Sequence, residues 1–98
     1  MADLRFEWDA RKANANLRKH GVAFEEAQTA FFDDNALVMA DPAHSTVEDR
    51  FVLLGATAAS KLVVVCHCYR GSNDVIRLIS ARCANRQEIA TYRERSAP

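Results

Sequence analysis

No long apolar run occurs in this 98-residue chain; none exceeds the five residues of Leu62 to Cys66, where a membrane-spanning helix needs about 20. No membrane association is expected. The first residues have neither the basic stretch nor the apolar core of a secretory signal, so the cytoplasm is the expected compartment. Cysteine is scarce and odd in number: there are three, and Cys66 and Cys68 sit two apart on one strand face, a poor arrangement for a mutual disulfide. They read as reduced, small core residues. A zinc site needs four converging ligands, but His67 points away from both cysteines and no second ligand pair is spaced for one. No metal or other cofactor is expected. There is no internal repeat, linker or low-complexity segment, and at this length one domain, removing about 60–68% of the unfolded surface, is expected. The 49% hydrophobic content argues against disorder.

Net charge is zero, yet charge is unevenly placed. Residues 1–49 carry five basic and ten acidic side chains, and residues 50–98 carry eight basic and three acidic, so the halves stand at −5 and +5. Every basic residue of the second half except Lys61 is arginine, the side chain suited to bidentate phosphate contact. An ordinary solvated charge pattern is the favoured explanation until motifs are considered.

The stretch Val75 to Arg82 reads as a buried strand because five of its eight residues are apolar and Val and Ile suit a pleated, packed surface. Arg77 and Arg82 interrupt it, and an arginine there needs solvent, a carboxylate or a phosphate. Alternation puts Arg77 and Arg82 on opposite faces. Both serve one site only if Arg82 lies past the strand end or a bulge re-aims it. The first is expected, since Arg82-Cys83-Ala84-Asn85 reads as a strand-to-helix turn.

In chain order, Leu4, Phe6 and Trp8 alternate with Arg5 and Glu7 as a short edge strand. Asp9 caps a helix through His20, and Gly21 stops it. On that helix Ala10, Ala13 and Leu17 form an apolar docking stripe, while Lys12, Asn16 and Lys19 form a second row with His20 at the boundary. That row is either a solvated face or a backbone-binding surface. His20, beside a helix C-terminus, is either a structural cation there or an acid–base group. A second helix is expected from about Phe24 to Phe32, burying Phe24, Ala27, Ala30 and Phe31. Strands then follow at Leu37–Met39, Arg50–Gly55, Leu62–Tyr69 and Val75–Arg82, with a polar loop at Asp41–Thr46 and hairpin turns at 56–61 and 70–74. Leu62–Cys66 is apolar on both faces, which places its strand centrally. A last helix starts near Asn85 and carries Ile89 and Tyr92 inward. Consecutive strands joined by tight turns run antiparallel, so the expected fold class is α+β: a small antiparallel sheet with two N-terminal helices and a C-terminal helix.

The residues now assembled resemble a known family. Trp8-Asp9, Lys12, Asn16, Lys19-His20-Gly21-Val22, Phe24-Glu25-Glu26-Ala27, Arg50, Gly55, Ile76 to Arg82, Glu88 and Tyr92 are similar to the pattern of BrnT-type toxins. The likeness runs from Phe6 to Tyr92, and its densest pieces are the Lys-His-Gly-Val-x-Phe and Arg-x-Ile-Ser-Ala-Arg runs. It implies one toxin domain over residues 1–98, a RelE-like fold, and a ribonuclease toxin of a type II toxin–antitoxin system that blocks translation. It also implies a BrnA-type antitoxin whose DNA-binding part is a ribbon-helix-helix, with operator DNA contacted only through the complex. Two positions depart from the pattern. Ala23 stands where Ser precedes Phe-Glu-Glu, which removes a helix cap at about 1 kcal/mol. Cys83 stands where Lys is common, which removes a positive charge beside Arg82.

RNA cleavage without metal needs the 2′-hydroxyl deprotonated, the phosphorane stabilised and the leaving 5′-oxygen protonated. No pair of well-placed carboxylates is evident in the sequence. Within the resemblance, Arg77 and Arg82 are assigned to the phosphate with Arg50 as a second clamp, although Arg50 could equally pair with a nearby carboxylate. His20 is the acid–base candidate. His67, among valines, reads first as a core histidine and second as a catalytic one; His44 is discounted. Lys12 and Lys19 would hold flanking phosphates, Tyr92 would stack on a base or donate its hydroxyl, and Trp8 is read as core. A catalytically inactive module that engages an antitoxin or nucleic acid is the alternative. The lack of a helix-turn-helix weighs against direct DNA reading.

Overall fold

The period-two pattern at the N-terminus yields a strand of three residues, β1 (Arg5–Glu7). Asp9 then caps α1 (Ala10–His20): its carboxylate accepts from the amides of Arg11 at 2.8 Å and Lys12 at 3.1 Å. Gly21 ends the helix at φ 71°, donating its N–H to Leu17 O, the left-handed stop that glycine adopts without cost. The computed structural model describes residues 4–44, 48–71 and 74–96. After Gly21 come α2 (Phe24–Ala27), a 3₁₀ helix over Gln28–Phe32, then β2 (Leu37–Ala40), β3 (Phe51–Ala56), β4 (Leu62–Arg70), β5 (Val75–Cys83) and α3 (Arg86–Ser96). The second helix is therefore α-helical for four residues only, and Ala23 makes no side-chain cap bond at its start. Of the polar loop expected at 41–46, Pro42–His44 form a 3₁₀ turn, and residues 45 and 46 lie outside the described residues, as do 72 and 73 of the second hairpin.

Among the described residues the fold is α+β, with five strands in the order β1-β5-β4-β3-β2 and three α-helices. The expected antiparallel sheet needs correction: β2 to β5 form an antiparallel meander, but β1 pairs parallel with β5 through Arg5↔Val75, Phe6↔Ile76 and Glu7↔Arg77, so the sheet is mixed. The tight-turn argument applies only to strands consecutive in the chain. β1 reaches β5 after the helices and the whole meander, where no turn dictates direction.

One face of the sheet meets α1, α2 and the 3₁₀ helix. Val22, Phe24, Ala27, Ala30, Leu53, Val63, Val65, Leu78 and Ala81 form this core, with Phe6, Trp8 and Ala13 packed against it. Trp8 lies edge-on to Phe24 at 5.8 Å. β3 runs so close to the 3₁₀ helix that a Cβ on Gly55 would sit 3.1 Å from the Ala36 Cβ and 3.2 Å from Ala30 O. The opposite face carries Leu54 and Val64, which are also buried, and α3 returns against β3. α3 is tied down at Tyr92, whose hydroxyl donates to Asp33 Oδ2 at 2.6 Å.

The helix docking stripe also needs correction. Leu17 is 48% exposed and Ala10 is exposed, whereas Asn16 is 7% exposed. β1 ends at Glu7, opposite Arg77, so among the described residues the outer edge of β5 beyond it has no strand neighbour. Asn16 takes that place. Its amide donates to Ala81 O at 2.8 Å and to Val22 O at 2.9 Å, and its Oδ1 accepts from Ala81 N–H at 3.0 Å. The side chain supplies the paired donor and acceptor that an adjacent strand would, satisfying backbone groups that are costly to bury unpaired.

Candidate nucleic-acid interface

Arg82 reaches the same face as Arg77 by the route not expected. β5 continues through Cys83, so Arg82 lies inside the strand. The register slips instead: Cys66 pairs with Ser80 but His67 pairs with Leu78, leaving Ile79 as an extra residue. A bulge reverses the alternation. Leu78 and Ala81 both face the core, while Arg77, Ser80 and Arg82 face away from it.

On that outer face lies a groove of about 300 Å³ lined by Asp41, Arg50, Val52, Val64, Cys66, Ile79, Ser80 and Arg82. Its floor is apolar and its rim carries two guanidinium groups and one carboxylate. Asp41 is brought beside Arg50 by the strand pairing, its N–H donating to Arg50 O at 2.8 Å. Burial pushes the Cys66 thiol up; Arg50 pulls it down and Asp41 pushes it up again. Cys66 is thus a neutral thiol at ordinary pH, part of the floor rather than a nucleophile. Asp41, Cys66 and Ser80 escaped the sequence reading, because only the β2–β3 pairing and the bulge bring them together.

Each predicted site arginine has its own surroundings. Arg50 and Arg82 share the groove. Arg77 does not line it; its Nη1 donates to Glu7 Oε2 at 2.6 Å, and the same oxygen lies 3.4 Å from Arg70 Nε. Five residues of strand separate Arg77 from Arg82, roughly 15 Å. Arg82 donates from Nη1 and Nη2 to the two oxygens of Glu88, each at 2.8 Å. This pairing raises the guanidinium's pKa and is the main reason the Glu88 carboxyl lies below its ordinary value.

The remaining predicted residues lie elsewhere. His20 is half-buried at the end of α1, on the core side of the sheet, and is not among the groove residues. Lys12 and Lys19 are exposed on α1, but Asn16 between them faces inward, so they flank a structural contact rather than a continuous row. The Tyr92 hydroxyl is committed to Asp33. Burial pushes the Asp33 carboxyl up, yet the bonds from Ala56 N–H, the Tyr92 hydroxyl and Asn35 N–H outweigh it and hold the group below its usual value.

His67 is fully buried on the core face, edge-on to Phe31 at 4.8 Å. Its Nδ1 lies 3.1 Å from Val65 O and its Nε2 3.4 Å from the Tyr69 hydroxyl, an arrangement that fits a neutral ring donating at Nδ1. Burial pushes its pKa down, partly opposed by the Val65 carbonyl. The unfolded chain therefore binds this proton more readily than the folded one, so stability is full above about pH 6.5 and declines as pH falls below it. Asp33 and Glu88, whose folded pKa values are depressed, add a second loss below about pH 4. The melting temperature is expected to be flat from pH 7 to 8, to fall from about 6.5 downward, and in His67→Phe to stay flat until the carboxylates titrate. Identical pH profiles for the two proteins would remove His67 from this role.

Among the described residues no group of three or more His, Cys, Asp or Glu is arranged to hold a metal ion, and no helix is long and apolar enough to cross a membrane. A family model described as the ribonuclease toxin BrnT of type II toxin–antitoxin systems matches residues 8–88. The crystal structure of the Brucella abortus ribonuclease toxin BrnT superimposes with a TM-score of 0.64 at 23% identity, covering 86% of this chain and all of that one. At that identity the likeness is one of fold. A search of curated proteins returned no match.

Proposed function

Since this chain belongs to the BrnT family of ribonuclease toxins of type II toxin–antitoxin systems, we propose that it cleaves RNA at the groove between Arg50 and Arg82, without a metal ion, and thereby inhibits translation. The observation that carries this reading is that Arg50 and Arg82 line one groove together with the apolar Val52, Val64 and Ile79 on the outer face of the sheet. The 2′-oxygen of a ribose attacks the adjacent phosphorus, the 5′-oxygen leaves, and a 2′,3′-cyclic phosphate and a 5′-hydroxyl result. Arg50 and Arg82 supply fixed positive charge where the phosphorane develops negative charge. Arg77 engages a phosphate farther along the strand, and Lys12 and Lys19 add non-specific backbone attraction. Of the proton carriers, Asp41 lines the groove and His20 does not, so Asp41 takes the nearer role and His20 requires RNA to wrap the β5 edge. Tyr92 acts through α3 rather than by stacking on a base.

The whole of 1–98 serves as one toxin domain in this proposal, with RelE-type toxins as its wider relatives. A BrnA-type antitoxin with a ribbon-helix-helix part covers it and carries the complex to operator DNA. A second reading has one observation in its favour: Arg77 and Arg82 both already hold carboxylates, as in a catalytically inactive binding module. Controlled expression in bacteria separates the two. The wild type is expected to arrest growth and fragment cellular RNA, and a folded Arg77→Ala/Arg82→Ala variant to do neither. Intact RNA with the wild type would establish the binding module instead.

A further inference from the structure

Glu88 is not among the groove residues, yet more of its bonding capacity is directed at Arg82 than its place at a helix start requires. At the start of α3, Glu88 N–H donates to Asn85 Oδ1 and Glu88 Oε1 accepts from Asn85 N–H, both at 2.8 Å. This reciprocal cap pins the carboxylate by its backbone and by one oxygen. The same carboxylate then takes the Nη1/Nη2 end of Arg82 through both oxygens, and the second Nη1 hydrogen goes to Cys83 O at 3.3 Å. A guanidinium has five N–H donors in a rigid fork. Three are used here, and the two that remain, on Nε and Nη2, point the same way along one edge. That edge is a bidentate donor site for two phosphate oxygens, on a side chain that lines the groove. An unheld arginine loses rotamer entropy when it is fixed; Arg82 is held by Glu88 before any ligand arrives.

We infer that Glu88 is a positioning residue for phosphodiester cleavage: it grips Arg82 from behind so that the Nε/Nη2 edge is presented to the phosphate at the distance and orientation the transition state needs. The inference rests on the groove being the cleavage site. It also gives the start of α3 a purpose beyond packing on β3, since the helix cap and the arginine clamp are one carboxylate. Lysine at position 82 would not substitute, because an ammonium drawn to Glu88 has no second planar edge to offer.

The test uses the full chain and an RNA oligonucleotide under single-turnover and steady-state conditions. In Glu88→Gln the amide oxygen still accepts from Asn85 N–H, so the helix cap is kept and folding is checked by thermal denaturation, but the two-oxygen grip and the stability of the charged pair are lost. The expected result is a kcat lowered about tenfold or more with KM within about twofold, because misplacement by an ångström can cost a factor of 100 in rate. Millimolar guanidinium is expected to restore part of the activity of Arg82→Ala, where Glu88 can still hold the free cation, and none to Arg82→Ala/Glu88→Gln. Wild-type kcat in Glu88→Gln, or equal rescue in both backgrounds, overturns the positioning role while the loss in Arg82→Ala keeps the groove. Undiminished cleavage by Arg82→Ala overturns the groove itself and the inference with it.

Discussion

Replacing Asn16 by alanine is expected to lower stability by about 3 kcal/mol, the sum for three backbone groups, Val22 O, Ala81 O and Ala81 N–H, left buried with one partner fewer. For a domain of this size that corresponds to a melting temperature lower by roughly 12–20 °C. Two companions make the reason visible. Asn16→Leu fills the same volume with no polar atom and is expected to lose as much as alanine, since packing is not what the asparagine supplies. Asn16→Asp keeps an acceptor for Ala81 N–H but sets a carboxylate against two carbonyl oxygens; it is expected to be the least stable at neutral pH and to recover in part on acidification, as a protonated carboxyl regains one donor. Urea titration at pH 5 and pH 8 reads all three. A loss under 1 kcal/mol in Asn16→Ala would mean that water replaces the amide at the β5 edge, and that the edge needs no surrogate strand.

The second large effect concerns the arginines, and it is expected to be unequal among them. Arg50→Ala and Arg82→Ala each remove one of the two fixed charges at the groove and are expected to reduce kcat about 100- to 1000-fold, the usual cost of one preorganised charge-stabilising group. Arg77 lies roughly 15 Å along the strand from Arg82 and is tied to Glu7. Arg77→Ala is expected to act mainly on KM, by a few-fold, and to reduce the salt dependence of RNA binding by about one phosphate contact. Losing Arg77 also leaves Glu7 with Arg70 alone, so its folding is to be checked by thermal denaturation. Equal kcat losses at 77 and 82 would show that RNA brings the two arginines to one phosphate, as the sequence reading supposed, and that the groove is only part of the site.

The difference between those two outcomes turns on one residue. Period-two alternation applied to Val75–Arg82 separates the arginines by face, and two escapes were open. The bulge at Ile79 is what the protein uses. Nothing in Leu78-Ile79-Ser80 announces a bulge, because the extra residue is ordinary in composition and its position is set by the partner strand. The polar Asn16 illustrates the same limit on α1. Helical periodicity groups Ala10, Ala13 and Leu17 by apolarity, but what docks is the side chain that can complete an unfinished sheet edge, and that edge exists only once β1 has stopped opposite Arg77.

Local chemistry is sufficient wherever a feature depends on neighbours in the chain. Asp9 and Gly21 bracket α1, Asn85 caps α3, the apolar stretch Leu62–Cys66 becomes the central strand, and the meander from β2 to β5 follows from its turns. The motif pattern shared with ribonuclease toxins was equally legible, as a list of residues without positions in space. Tertiary structure alone decided the direction of β1, the sharing of one groove by Arg50 and Arg82 with Val52, Val64 and Cys66, the retention of Arg77 by Glu7, and the inward turn of Asn16 and His67. These depend on groups brought together by the fold from far along the chain, as many as 70 residues apart in the Glu7–Arg77 pair. Caps, turns and periodicities are energies of adjacent residues, whereas a site on a sheet is made by register, and register is settled only when every strand has found its partner.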